Sequence, residues 1–288
     1  AAIINNLGGI AGFGDTSGMG RPYEWPDLLR VAGWKLRDGR YLYAEQNSSG
    51  ANSRSGNFFH NTYSQDEIKP EKSDAAMGVD VIPLPDWVYE HRTEVLNAWR
   101  PGWKEFLDAI PPPPRDECFD KIAFRTSMNS EDQYLIIGGQ SWGFHGHPDA
   151  NAIIEYTDNK RYCLFDSGYF VPQTIEHNTL IVLRDGMFEL VPHLAGLAAM
   201  SDFDNIGMTQ TYLNDYNGAN WRRNIVWNKE KYFLVIDEVE ALKPGDYGIR
   251  AVFRTLSDDK PEVGKDRVRA SYRSQAFNLL NASQAQLK

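Results

Sequence analysis

Two of the chain's six histidines stand either side of one glycine, in Gly143-Phe144-His145-Gly146-His147-Pro148-Asp149-Ala150-Asn151. In an extended segment, residues i and i+2 point to the same side, so His145 and His147 would present paired imidazoles, with Gly146 leaving room behind them. Asp149, Glu155, Asp166 and His177 follow closely enough to complete a shell. A mixed set of imidazoles and carboxylates suits a zinc-like divalent ion. Spacing alone leaves that reading open beside a plainer one, in which the two histidines are hydrogen-bonded polar residues. His60, His91 and His193 stand alone and read as surface or packing residues.

The elements that would position these groups are short strands. Lys121-Ile122-Ala123-Phe124-Arg125 alternates between apolar and polar residues, and Gln133 to Gly138 is a buried-type run. Ala152 to Tyr156 and Arg161 to Phe165 flank a turn at Asp158-Asn159, so residues 152–165 read as a hairpin. A hairpin returns its second strand to where the first began, which brings Asp166 back towards His147. Further strand signals lie at 179–183, 224–227, 232–236 and 249–253, with turn residues at 184–186 and 244–246. Many strands without intervening helices predict an antiparallel β-sandwich.

Before residue 110 the composition differs. Pro26 fits the first turn of a helix that places Trp25, Leu28, Leu29 and Ala32 on one face. Asp86 to Leu107 has a second helical pattern, which Pro101 must kink or split. The Ser-, Asn- and Gly-rich stretch 47–67, carrying Phe58, Phe59 and Tyr63, reads as a packed or ligand-facing loop. Pro111 to Pro114 is stiff and lacks backbone donors, so the domain boundary is expected there: residues 1–114 helical with long loops, 115–288 the sandwich.

Bulk properties narrow the function. The chain has 288 residues with 42% hydrophobic and 24% charged content, ordinary for globular proteins. Its net charge of −9, from 30 basic and 39 acidic residues, argues against a dedicated nucleic-acid binder. No apolar run is long enough to span a membrane. The two cysteines, Cys118 and Cys163, read as buried free thiols. The opening AAIINNLGG, without Met, reads as the continuation of something longer.

His-Gly-His-x-Asp-Ala, a strand pair ending Asp166-Ser167-Gly168, and then Glu176-His177-Asn178-Thr179-Leu180-Ile181-Val182 together resemble the C-terminal half of the heparinase II/III-like polysaccharide lyases. Phe119 to Ser127, Asp132 to Ile136, Trp221-Arg222-Arg223 and Tyr232 to Val239 resemble further strands of that sandwich. Residues 1–110 resemble, more weakly, the last helices of the family's (α/α) toroid. The resemblance implies an α+β architecture, with C-terminal toroid helices followed by an antiparallel β-sandwich. It implies a structural Zn2+-like ion on His147, Asp166 and His177, a catalytic His145 facing the sugar, and a catalytic tyrosine between the Asp and the His-Asn pair. Only Tyr169 fills that last position.

The activity so implied is β-elimination on an acidic, uronic-acid-containing polysaccharide, in a secreted or periplasmic protein. Such a site must neutralise the uronate carboxylate, remove the C5 proton and protonate the leaving oxygen. Arg125 is a candidate for holding substrate charge; otherwise it is an arginine on a strand surface. The family's principal catalytic tyrosine and carboxylate-gripping residue sit on the toroid, and residues 1–110 carry no Asn-His or Gly-Tyr-His helix motif. The remaining partner would therefore be the N-terminal remainder of the same enzyme. Two other readings stay open. One is a non-catalytic carbohydrate-binding sandwich with a structural metal. The other is a cupin-like metalloenzyme, for which Glu155 comes too late after His147.

Overall fold

The computed structural model describes residues 2–12, 26–47, 68–72, 77–99, 105, 109–141, 147–166 and 173–283. Among the described residues, the α-helices with defined bounds are α1 (Pro26–Leu36), α2 (Gly39–Asn47) and α3 (Asp86–Trp99). Pro26 opens α1, as its preset φ allows, and Leu29 and Trp34 are buried, while Leu28, expected beside Leu29, is exposed. Helix α3 is described as far as Trp99, and Pro101 lies outside the described residues. The stretch 48–67 lies outside the described residues.

Fifteen strands follow the chain: β1 (Gly78–Pro83), β2 (Phe119–Arg125), β3 (Tyr134–Gly138), β4 (Ile153–Asp158), β5 (Arg161–Phe165), β6 (Leu180–Arg184), β7 (Met187–Phe188), β8 (Gly196–Asp202), β9 (Ile206–Tyr216), β10 (Ala219–Asn228), β11 (Tyr232–Ala241), β12 (Tyr247–Ala251), β13 (Glu262–Val263), β14 (Arg267–Tyr272) and β15 (Gln275–Leu280). They form a five-stranded sheet ordered β1-β2-β3-β4-β5, a four-stranded sheet β11-β10-β9-β8, and two three-stranded sheets, β12-β6-β7 and β13-β14-β15. Every strand pairing between them is antiparallel.

The five- and four-stranded sheets face each other across one core. Ile122, Phe124, Leu135, Ile137 and Ile153 from the first meet Leu213, Trp221, Ile225 and Trp227 from the second, all buried. Alternation makes this possible: in β10, Trp221, Ile225 and Trp227 turn inward, while Asn220, Arg222 and Asn224 lie on the more open side. Trp227 stacks on Phe233 with ring centroids 5.6 Å apart, and its indole N–H donates to Gln133 Oε1 at 2.8 Å, so its own buried donor is paired.

The sheet does not begin after the proline run, as the expected division at residue 114 requires. Strand β1 lies ahead of it and pairs with β2 from Gly78↔Arg125 to Pro83↔Phe119, completing the edge of the first sheet. The outer face of that sheet is also covered from the N-terminal side. Residues 2–6 lie over Ala123, Tyr134, Ile136 and Ile154, and the Tyr134 hydroxyl donates to the Ala2 carbonyl at 2.8 Å. At the other end, β15 pairs with β14 across its full length.

Candidate functional site

The hairpin β4–β5 forms where the sequence places it. Its two turn residues, Asn159 and Lys160, have φ of 50° and 60°, the left-handed pair that matches the twist of flanking strands. The turn returns the chain so that Asp166, just past β5, stands near the residues preceding β4. Asn178 fixes this closure. Its side-chain amide donates to the Ile153 carbonyl at 3.0 Å and the Phe165 carbonyl at 3.1 Å, and its own carbonyl accepts from Ile153 N–H at 2.9 Å. One residue earlier, His177 is thereby held beside Asp166.

Asp149, Asp166 and His177 each offer a ligand atom, and these atoms lie within 4.8 Å of one another, with all three residues buried. His177 Nδ1 is 2.7 Å from Asp166 Oδ2, while its Nε2 is buried with no hydrogen-bond partner among the described residues. The buried His147 ring stands edge-on to His177, with centroids 5.7 Å apart. Burial works to lower the His177 pKa, but the hydrogen bond and charge of Asp166, with Asp149 beyond, leave it raised. Burial pushes Asp149 up to about 6, and Asp166 adds to that, against the pull of His177, Lys121 and His147. Two buried carboxylates sharing so small a space therefore want a positive charge between them.

Asp149 was only a nearby candidate in the sequence; the structure puts it inside the group with Asp166 and His177. Its signal was the turn it begins: Ala152 N–H donates back to the Asp149 carbonyl at 3.0 Å, and Asn151 takes the left-handed conformation with φ of 64°. That turn aims Asp149 at the hairpin's base. Glu155, also considered for the shell, lies elsewhere, beneath residues 2–12, where its Oε1 accepts from Asn5 Nδ2 at 2.7 Å. His145 and Tyr169 lie outside the described residues.

Arg125 is not placed to hold substrate. It is fully buried, donates to Asn6 Oδ1 and to the Ile4 carbonyl, and lies 4.4 Å over the Tyr134 ring. The N-terminal residues cover the strand face on which it sits, so its guanidinium anchors them instead. Of the lone histidines, His91 is exposed on α3 with Glu94 3.1 Å away, and His193 is partly buried. Cys118 and Cys163 are both free and buried.

No family model matches the chain, and no curated protein does. Solved structures do. A heparan sulfate lyase HepC mutant from Pedobacter heparinus aligns with a TM-score of 0.60 over 94% of this chain, at 16% identity. A heparinase III with methylated lysines aligns with a TM-score of 0.61 over 94%, at 14% identity. The fold is heparinase-like. The likeness rests on antiparallel sheets that match the C-terminal β-sandwich of those enzymes; a toroid is not seen among the described residues. The chain spans 36% and 35% of the lengths of those two structures. No described helix is long and apolar enough to cross a membrane.

Proposed function

We propose that the chain is the sandwich portion of a polysaccharide lyase that cleaves a uronic-acid-containing polymer by β-elimination. The reading is carried by the Asp149–Asp166–His177 group, which lies in a heparinase-like fold and directly follows the segment bearing His145. In that reaction a base removes the C5 proton, the electron pair forms the C4–C5 double bond, and the C4–O4 bond breaks as the leaving oxygen gains a proton. His145 is the proposed base or carboxylate-neutralising donor, and Tyr169 a second proton-transfer candidate; each such group contributes typically about 10²–10⁴-fold. Further catalytic groups would come from the N-terminal remainder of the enzyme.

The donor set fits a zinc-like ion: two buried carboxylates, an imidazole with an uncommitted nitrogen, and His147 alongside. Bound there, such an ion would supply positive charge that holds the carboxylates ionised and the hairpin base rigid. His147, Asp149, Asp166 and His177 would be its ligands and close supports, leaving proton transfer to residues outside the group.

The test is to incubate the full natural protein with alginate, heparan sulfate and other uronic-acid polymers while following absorbance at ~235 nm, where the unsaturated product of acid–base elimination absorbs. A rise on one of them is the expected result. No rise on any of them overturns the lyase reading, and binding without a rise assigns the chain as a carbohydrate-binding sandwich.

A further inference from the structure

A second polar cluster lies away from the Asp149–Asp166–His177 group. Arg92 on α3, His193 ahead of β8 and Asn214 on β9 line one pocket, whose remaining wall includes Pro111, Pro112 and Pro113. Prolines carry no backbone N–H, so that part of the wall offers no donor, and Arg92, His193 and Asn214 are the polar side chains of the lining. Arg92 uses Nη1 to donate to the Tyr89 carbonyl at 2.6 Å and lies 4.9 Å over the Tyr89 ring, and among the described residues no carboxylate pairs with it. His193 Nδ1 is buried with no hydrogen-bond partner among the described residues. No hydrogen bond engages the Asn214 carboxamide among the described residues.

Backbone bonds join the pocket to Gly139 and Ser141, which precede the His-Gly-His segment in sequence. Ser141 N–H donates to the His193 carbonyl at 2.8 Å, and Ala195 N–H donates to the Gly139 carbonyl at 2.8 Å. On the far side of the segment, the Ser141 hydroxyl accepts from Ala150 N–H at 2.6 Å. Gly139 and Ser141 on one side of that segment, with Ala150 bonded to Ser141 on the other, are therefore stitched to one wall of the pocket. Burial, with the Arg92 charge nearby, pushes His193 down to about 4, so its ring is neutral at pH 7 and can offer an N–H without adding charge.

We propose that this pocket is a subsite for the carboxylate of an acidic sugar unit, gripped by the Arg92 guanidinium with His193 and Asn214 as flanking donors. The proposal builds on the lyase reading, in which successive uronates of one polymer pass the His145 segment. A guanidinium that pairs with no carboxylate among the described residues suits a carboxylate oxygen pair, and two neutral donors beside it add directional selection without competing charge.

The probe is D-glucuronate, with D-glucose as the neutral control, followed by histidine-ring NMR of the chain. Glucuronate is expected to shift the His193 resonances and raise its pKa from about 4, with glucose doing neither. Arg92→Gln is expected to weaken glucuronate at least ~10-fold, the size of one lost charge-assisted contact. Equal responses to both sugars, no response at His193, or unchanged binding in Arg92→Gln overturns the proposal. Should Arg92→Gln fail to fold by circular dichroism, Asn214→Ala makes the same comparison from β9, and unchanged binding there counts equally against it. The two readings separate cleanly. Polymer cleavage with KM unmoved by Arg92→Gln removes the subsite and spares the lyase. Arg92-dependent glucuronate binding in a protein that cleaves no polymer does the reverse.

Discussion

The guanidinium of Arg223 donates to the Asn178 carbonyl oxygen at 3.2 Å, joining the four-stranded sheet to the residue that closes the β4–β5 hairpin. The same Nη1 reaches the Asn151 carbonyl at 2.9 Å, and Nε and Nη2 grip Asp237 at 2.8 and 3.0 Å. One fully buried arginine thus ties both backbone segments that flank the Asp149–Asp166–His177 group to the opposite sheet.

Arg223→Ala should be severely destabilising. It strips the Asp237 carboxylate of its charge partner, leaving it the Trp221 indole N–H, and removes the donor to the Asn151 carbonyl, and breaking a buried pair costs about 3–5 kcal/mol. A thermal melt should show a drop of many degrees. Arg223→Lys keeps the charge but not the fork, so it should still lose much of that stability. A melt unchanged in both variants would mean that the sheets are held in register by apolar packing alone.

For the metal, His147→Ala and His177→Ala should each lose bound zinc and lower the melting temperature, and Asp166→Asn should do likewise. His145→Ala should keep the zinc and lose activity. Asp149→Asn should lower zinc affinity by ~10–100-fold or more, the range seen even for supporting residues. Elemental analysis with chelator competition measures this. Wild-type protein without metal would remove the whole set, whereas full zinc content in Asp149→Asn would remove Asp149 alone.

Glu155 gives a pH signature. Burial pushes its carboxyl up to about 8, against the pull of the Asn5 amide, the Gly12 N–H and the Arg125 charge. Tyr162 faces the same site, sharing the Asn5 amide at 3.2 Å, and Tyr134 lies below Arg125. Between the ordinary value of 4.5 and about 8, the folded chain holds this proton and the unfolded chain does not. Stability should therefore decline as pH rises through that window and level off above it. Each unit of displacement is worth about 1.4 kcal/mol. Glu155→Gln should flatten this part of the profile and be the more stable protein at pH 8, measured by urea denaturation at several pH values.

Both thiols should be inert in the native state. Burial pushes Cys118 up to about 11 and Cys163 up to about 12, so neither holds appreciable thiolate at neutral pH. A disulfide-exchange reagent should titrate none rapidly in buffer and two in denaturant. Rapid reaction of one thiol in buffer would mean that its surroundings open locally.

The parts of the fold legible in the sequence were those specified over a few residues. The β4–β5 hairpin announced itself through an apolar run, the Asp158-Asn159 turn and a second apolar run. Strand β9 was missed because its faces are half polar: Gln210 and Asn214 interrupt the apolar signal that Leu213 and Tyr216 carry inward. Strand β1 escaped because its partner lies across α3 and the prolines, and pairing at that distance leaves no local trace. Arg125 shows the same limit in a side chain. Alternation correctly sets it on the face shared by Lys121 and Ala123, but what covers that face comes from residues 4 and 6. For the site, the hairpin logic brought Asp166 towards the His147 side of the molecule. Placing Asp149 beside it required the left-handed Asn151, which its residue type permits but does not demand.

The pairing of β1 with β2 bears on how the chain can be cut. Trimming at the prolines, the natural choice for expressing the sandwich alone, would leave the β2 backbone as a raw margin and strip the covering from a buried cation. Such a fragment would carry an adhesive border of the kind that seeds self-association. A workable boundary must lie upstream of β1 and must keep the first dozen residues.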